Sequence, residues 1–316
     1  MTLRLHRSRR LGNILDGIGN TPLLRLKKVA SHVPDVEVFV KLEFMNPGGS
    51  VKDRPALRMV QDAIGDGRFT TDKVLIDATS GNTGVAYSMI GAAMGYKVQL
   101  VLPKNASQAR KNITQAYGAE LIYSSPMEGS DGAIRLVRKI VAENPDRYFY
   151  PDQYRNPSNP LAHYHGTGRE ILEAVGDKIT HFVAALGTSG TAMGTTRRLH
   201  QHTRKIHCVA AEPAEAMHGL EGLKHMASSI VPDIYDANTP DEILPISTDA
   251  GWDMSERVAE EEGLFIGHSG GANIAAALIL AERAQKEDGG GCVVTVACDR
   301  GDRYFDPVRW EKKYKW

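Results

Sequence analysis

The chain has 316 residues, of which 42% are hydrophobic and 24% charged. That is the make-up of an ordinary globular protein, long enough to suggest two domains. Lysine plus arginine equals aspartate plus glutamate, 38 against 38, so no bulk field gathers nucleic acid or an anionic membrane surface. No apolar run reaches the roughly 18 residues of a membrane span.

In chain order, Met1–Arg10 comes first, with Arg4, Arg7, Arg9 and Arg10 and no acid. It reads as a disordered basic arm in preference to a targeting presequence. Strand-like runs then alternate with amphipathic segments of helical length. The expected strands are Val36–Leu42, Val74–Ala78, Lys97–Leu102, Glu120–Tyr123, Phe182–Leu186, His207–Ala211 and Cys292–Ala297. Between and after them lie helical patterns over Thr83–Met94, Ser107–Tyr117, Gly132–Ala142, Thr191–His202 and Ala272–Ala284. This alternation predicts mainly parallel sheets flanked by helices on both faces. Tyr150–Pro160, with three prolines, reads as a crossing between domains, and 213–245 as a long irregular region. Cys208, Cys292 and Cys298 sit in apolar strand-like runs without metal-ligand spacing. They are expected to be buried free thiols in the cytoplasm, with no metal site.

Four segments carry chemistry. The first is Asn46-Pro47-Gly48-Gly49-Ser50-Val51-Lys52-Asp53-Arg54, after the strand-like run Val36–Leu42. A lysine ending such a turn can be packed away from water, which lowers its pKa and makes it a nucleophile toward carbonyl compounds, pyridoxal phosphate among them. The plain alternative is a surface lysine after an N-capping Ser50. The second is Ala78-Thr79-Ser80-Gly81-Asn82-Thr83-Gly84, where hydroxyls, an amide and backbone N–H groups gather at a helix start sized for a carboxylate. Simple capping by Ser80 or Thr83 is the rival there. The third, Gly187-Thr188-Ser189-Gly190-Thr191, opens a helix after an apolar strand. It suits a phosphate that stays bound, and it is neither a Walker loop nor a dinucleotide loop. The fourth, Gly267-His268-Ser269-Gly270-Gly271, says little alone, since Ser269 reads equally well as a cap.

In this order and at these intervals, the four segments resemble fold type II pyridoxal-phosphate enzymes, specifically the cysteine synthase and cystathionine β-synthase family. Ile18-Gly19-Asn20-Thr21-Pro22-Leu23 looks like the family's opening signature. Cys298-Asp299-Arg300-Gly301-Asp302-Arg303-Tyr304 looks most like its cysteine synthase B branch. The resemblance implies a two-domain α/β fold, with 1–23 and 46–156 forming a smaller mobile domain and 24–45 and 157–316 a larger one. It implies pyridoxal 5'-phosphate as cofactor, bound as an internal aldimine on Lys52, with Asn82 beside the phenolic oxygen. Gly187, Thr188, Ser189, Gly190 and Thr191 would form the phosphate cradle, and Ser269 would face the pyridine nitrogen. Thr79, Ser80, Asn82, Thr83 and Gln153 would hold the substrate carboxylate. His268 stands where the family often has a small or aliphatic residue, and would alter the pocket wall.

A neutral hydroxyl at the pyridine nitrogen disfavours a long-lived carbanion. The reaction implied is β-replacement on O-acetylserine or O-phosphoserine through an α-aminoacrylate, with sulfide or another sulfur donor giving L-cysteine. The amine freed from Lys52 would take the Cα proton. Lys224 occupies the region where similar enzymes carry a basic residue at the pocket mouth; it would read a phosphate or an anionic sulfur donor, or else be a solvated loop lysine. A homodimer is implied, with a small-molecule sulfur donor or a sulfur-carrier protein as partner. Alternatives are a cystathionine β-synthase, although no N-terminal Cys/His haem-binding pair is seen, then a serine or threonine dehydratase, or a non-catalytic regulatory relative. The aromatic and basic tail Trp310–Trp316 is expected to pack at a subunit boundary or lie exposed.

Overall fold

The computed structural model describes residues 10–79 and 81–304. Ser80, all but Arg10 of the basic arm and the tail Trp310–Trp316 therefore lie outside the described residues. In chain order the elements are β1 (Leu23–Leu26), β2 (Val36–Leu42), α1 (Asp53–Gly65), β3 (Val74–Ala78), α2 (Asn82–Met94), β4 (Val98–Pro103), α3 (Gln108–Ala116), β5 (Glu120–Ser124), α4 (Gly129–Glu143) and β6 (Tyr148–Phe149). There follow α5 (Ser158–Ala162), α6 (Gly168–Val175), β7 (His181–Ala185), α7 (Gly190–His202), β8 (His207–Pro213), β9 (Glu242–Ile246), α8 (Thr248–Glu262), α9 (His268–Glu287) and β10 (Gly291–Ala297).

The strands form two sheets, one ordered β1-β2-β10-β7-β8-β9 and the other β5-β4-β3-β6. All pairings are parallel except β1 with β2. Each sheet buries both faces, and the period-two geometry of a strand divides its residues between two cores. On β10, Val293 and Ala297 join one cluster while Val294 and Val296 join the opposite one. On β3, Leu75 and Ile76 divide in the same way. Helices α2 and α9 are lined by small and apolar residues on nearly every side and are largely buried, as expected of helices packed between layers.

The seven expected strands all form, two with the expected bounds and five differing by one or two residues at one or both ends. Three short strands escaped the pattern: β1, β6 and β9. β9 lies inside the stretch expected to be irregular, where it adds a half-exposed edge beside β8. β1 and β9 are edge strands with exposed residues, so their sequence lacks the continuous apolar run that marks a central parallel strand, while β6 is only two residues long, too short to show a pattern.

One buried ionic network ties segments far apart in the chain. Arg54 on α1 donates to Glu43 through Nε at 2.6 Å and to Glu170 on α6 through Nη1 at 2.7 Å. Lys41 on β2 also reaches Glu170, at 2.7 Å. Thr21 Oγ1 donates to Glu43 at 2.7 Å, and the Asn20 N–H to Glu170 at 3.0 Å. Gly19 and Asn20 both adopt left-handed backbone (φ 85° and 48°), a turn that glycine and asparagine tolerate. It aims the Gly19 N–H at Asn46 Oδ1, 2.8 Å away. The opening signature thus has a mechanical meaning, since its turn docks onto the segment that leads to Lys52. Burial opposes the charge on both carboxylates, yet Arg54 outweighs it and holds Glu43 below its usual range and Glu170 down at about 2.

A second buried acid closes β3. Asp77 accepts from the Tyr87 hydroxyl at 3.0 Å and from the Ala78 N–H at 2.7 Å. Burial first, then the nearby Asp152, push its pKa up to about 8. A carboxyl whose folded pKa exceeds its unfolded one stabilises below the unfolded value and loses that contribution as pH rises through the folded one. Asp77 is thus expected to erode stability between about pH 4 and pH 8. Asp77→Asn mimics the protonated group, so the melting temperature of the variant should gain on that of the parent as pH rises across this window. A pH-independent offset between the two melting curves would rule this out.

Candidate active site

The functional segments leave the C-terminal ends of parallel strands, where open α/β sheets collect ligands. The Thr79–Gly84 loop follows β3, Gly187–Thr191 follows β7, and Cys298–Tyr304 follows β10. They converge on one cleft. Its walls include Lys52, Thr79, Asn82, Thr83, Gln153, Gly187, Thr188, Ser189, Thr191, Lys224 and Ser269. Of the residues expected here, Ser80 is not described, and Gly190 is set back in the first turn of α7, against Asn159.

Lys52 is half-buried rather than packed away from solvent. It ends a tight turn closed by Asp53, whose Oδ2 accepts from the Gly48 N–H at 2.5 Å. Ser50 Oγ accepts from the Lys52 N–H at 3.2 Å, while Asn46 Nδ2 donates to the Ser50 carbonyl at 3.2 Å and to Glu43 at 3.0 Å. The lysine turn therefore hangs on the buried ionic network.

The loop after β3 caps its helix in an unexpected way. Thr79, not Thr83, does the capping: its Oγ1 accepts from Gly84 N–H at 3.0 Å and Gly81 N–H at 3.3 Å. Thr83 Oγ1 donates to Gln153 Oε1 at 2.8 Å, and Gln153 Nε2 donates to the Ala78 carbonyl at 3.0 Å. Gln153, from the segment read as a domain crossing, thus locks the loop in place. The Asn82 amide is held at both ends, donating to Asp299 at 2.6 Å and accepting from Arg303.

At the loop after β7, Ser189 adopts left-handed backbone (φ 71°) immediately before α7. Added side chains would strike Gly222 backbone from position 187 and Asn159 from position 190. Only hydrogen fits at these two positions, which lets the chain make a close turn at the start of a 13-residue helix, an anion-binding geometry. Behind it, His163 bridges Thr167 Oγ1 at 3.0 Å and Thr191 Oγ1 at 3.3 Å. Burial, then the positive charge of Arg54, hold His163 neutral with a pKa of about 3. These donors and the nearby amine of Lys52 fit a phosphorylated aldehyde.

Ser269, the second residue of α9, contributes a buried hydroxyl. Asn273, one turn later on the same face, pins the ends of β7 and β10 by bonds to the Ala185 N–H and the Val296 carbonyl, both 2.7 Å. The i, i+4 spacing from Ser269 is the signal that would have found it. The expectation for His268 is corrected: its ring stacks on Trp252 at 3.3 Å between centroids, and it does not line the cleft. Cys298 also departs from expectation, being partly exposed on the cleft wall, with burial raising its thiol to about 11. Cys208 and Cys292 are buried free thiols. Cys208 lies with His200 and Asp241, their ligand-type atoms all within 4.8 Å, a grouping that linear spacing hid. His200 is already bonded there to Asp241, and Arg204 approaches its other ring nitrogen.

Two ion pairs of opposite polarity cross the mouth. Arg110 on α3 pairs with Glu221, and Asp131 on α4 pairs with Lys224 at 3.5 Å. Lys224 is not a solvated loop lysine: it is buried on the cleft wall, with its amine 5.3 Å from the centre of the Tyr154 ring. Arg110 and Glu221 had no sequence signal, because ordinary charged residues acquire meaning only when placed opposite each other.

No helix among the described residues is long and apolar enough to cross a membrane. A family profile described as pyridoxal-phosphate dependent enzyme matches residues 14–299. The chain is 46% identical over 302 residues to a cysteine synthase of Aquifex aeolicus, covering 95% of this chain and 92% of that one. It is 40% identical over 290 residues to cysteine synthase B of Escherichia coli, covering 91% and 92%. The crystal structure of a cysteine synthase from Entamoeba histolytica superposes with a TM-score of 0.92 at 37% identity, covering 100% of this chain and 95% of that one. With the lysine turn, the glycine-lined loop after β7 and the serine at the start of α9 on one cleft, and with relatives this similar over nearly its whole length, the chain belongs to the pyridoxal-phosphate-dependent enzymes of the cysteine synthase family.

Proposed function

We propose that this enzyme makes L-cysteine by β-replacement on an O-activated serine, with pyridoxal 5'-phosphate as cofactor. The observation that carries the reading is the meeting of the Lys52 amine, the Thr79–Thr83 loop, the Gly187–Thr191 loop and the Ser269 hydroxyl on one cleft. When bound, the cofactor supplies an electron sink for charge developing at the substrate Cα. The protein's part is position and electrostatics. The Thr188, Ser189 and Thr191 side chains and the start of α7 hold the phosphate, while Thr79, Thr83, Gln153 and the start of α2 receive the substrate carboxylate. Lys52 takes the Cα proton and returns one. Ser269 offers the pyridine nitrogen a neutral hydroxyl in place of a carboxylate, which favours elimination and replacement at Cβ over transamination. If Lys52 is the attachment point, borohydride reduction of the holoenzyme should leave a cofactor adduct on that residue. Lys52→Ala should show none and lose at least about 10³-fold in turnover. An adduct on another residue would overturn the assignment.

The buried Lys224 supports a phosphate or another anionic group as its ligand, with Asp131 as the counterion displaced. Lys224→Ala should cut kcat/KM for O-phosphoserine by about tenfold or more, the worth of a charge-assisted hydrogen bond, and leave O-acetylserine within a small factor. Equal losses on both substrates would remove the phosphate-reading role.

The lobe built on β3 to β6 is read as the mobile one, drawn down when a substrate carboxylate enters and held at the mouth by the Arg110–Glu221 pair. A substrate analogue should therefore lower the radius of gyration in solution scattering and shift the visible band of the bound cofactor. No change in either would discard closure. Homodimeric assembly, a cytoplasmic setting and supply of sulfur by a small molecule or a carrier protein belong to the same reading. The free cysteines of the chain support the reducing compartment.

A further inference from the structure

Asn82 is gripped by two side chains, those of Asp299 and Arg303, and neither belongs to its own loop. Asp299 Oδ2 accepts from Asn82 Nδ2 at 2.6 Å, and Arg303 Nη1 donates to Asn82 Oδ1. A carboxylate accepts and a guanidinium donates, so the two together permit only one of the two orientations of the side-chain amide. In that orientation Nδ2 spends one hydrogen on Asp299 and has a second left for the cleft, where Asn82 forms part of the wall.

The same guanidinium reaches the lysine turn. Arg303 Nη2 donates to the Gly48 carbonyl, four residues before Lys52. Gly49 has φ 79°, and a side chain there would collide with Arg303. The second glycine of the Gly48-Gly49 pair is thus required twice, by backbone conformation and by the arginine lying against it.

Asp299 is fully buried and equally connected. Its Oδ2 also accepts from the Tyr304 hydroxyl at 2.5 Å. Its backbone bridges Ser50 in the lysine turn, and its carbonyl accepts from the Gly267 N–H, at the cap of the helix that bears Ser269, at 3.1 Å. One short segment after β10 therefore touches the loops of Lys52, Asn82 and Ser269.

We propose that Asp299 and Arg303 are positioning residues, a charged clamp that fixes the Asn82 amide so that its free N–H faces the phenolic oxygen of the cofactor. The proposal rests on the reading of Asn82 as a cofactor contact. The clamp differs from a mere stitch between loops in one respect, since its effect on the cofactor must pass through Asn82.

The test uses the holoenzyme and two readouts that do not depend on turnover: the position and pH titration of the visible cofactor band, and the equilibrium constant for cofactor release. Asn82→Ala should shift the band and weaken retention. Arg303→Met should reproduce part of that shift and weaken retention by about tenfold, as expected for loss of a charged hydrogen bond. Arg303→Lys keeps the charge without the fork and should fall between. Asp299→Asn, which keeps the shape, should change the same two readouts. In the Asn82→Ala background each clamp substitution should add little, because the group it acts through is gone.

An undiminished shift in that background would overturn the clamp while leaving Asn82 as a cofactor contact. A lowered melting temperature with unchanged band and retention would reduce Asp299 and Arg303 to structural stitches and overturn it as well. If Asn82→Ala itself moves neither readout, the reading of Asn82 fails first and the clamp falls with it.

Discussion

Arg54 lies between two buried carboxylates, Glu43 and Glu170, and the reactive turn depends on that arrangement. One guanidinium matches both acids through parallel N–H groups, and Lys41 supplies the second positive charge, so two cations meet two anions in the interior. Burying these ions is costly, and deleting one partner of such a set leaves an uncompensated charge worth about 3–5 kcal/mol. The geometry is therefore all-or-none. It fixes where the Gly19–Asn20 turn, Asn46 and the start of α1 sit relative to one another. Lys52 stands two residues before Arg54, so an ionic lock outside the cleft sets where the amine emerges inside it.

Around that anchor the site is assembled from loops at strand ends, each with little freedom. Thr79 and Gln153 brace one loop by side-chain bonds. The second is shaped by glycines at positions where no side chain fits, with the neutral His163 behind Thr191. The third, after β10, carries Asp299 and Arg303 across to the other two. Donors held in this way need little reorganisation when a ligand arrives, which is how a site gains strength without new contacts. The ion pairs at the mouth are of another kind. Glu221 is half-exposed while Arg110 is buried, so solvent screens this pair from one side only.

Much of this was legible in advance, and the reason is local. Central parallel strands are buried on both faces, so Val36–Leu42, Val74–Ala78 and Cys292–Ala297 announce themselves as mainly apolar runs. Glycine and hydroxyl clusters at helix starts marked the loops around Thr79 and Gly187, whereas the segment around Ser269 said little without the family resemblance. The edge strands at Leu23 and Glu242 stayed hidden because half-exposed residues carry no such run. The role expected of His268 failed for a related reason: its neighbour Ser269 faces the cleft, while the imidazole turns onto Trp252. On a helix, adjacent residues point about 100° apart.

The sequence by itself determined the fold class and the family, and it marked the loops that meet at the cleft, because each signal rests on residues close together in the chain. Only the tertiary structure decided which residues steady those loops. Arg54 with Glu170, Asn82 with Asp299, and Arg110 with Glu221 are pairs more than a hundred positions apart. Electrostatic attraction acts through space, and no spacing along the chain encodes a distance that folding has yet to create.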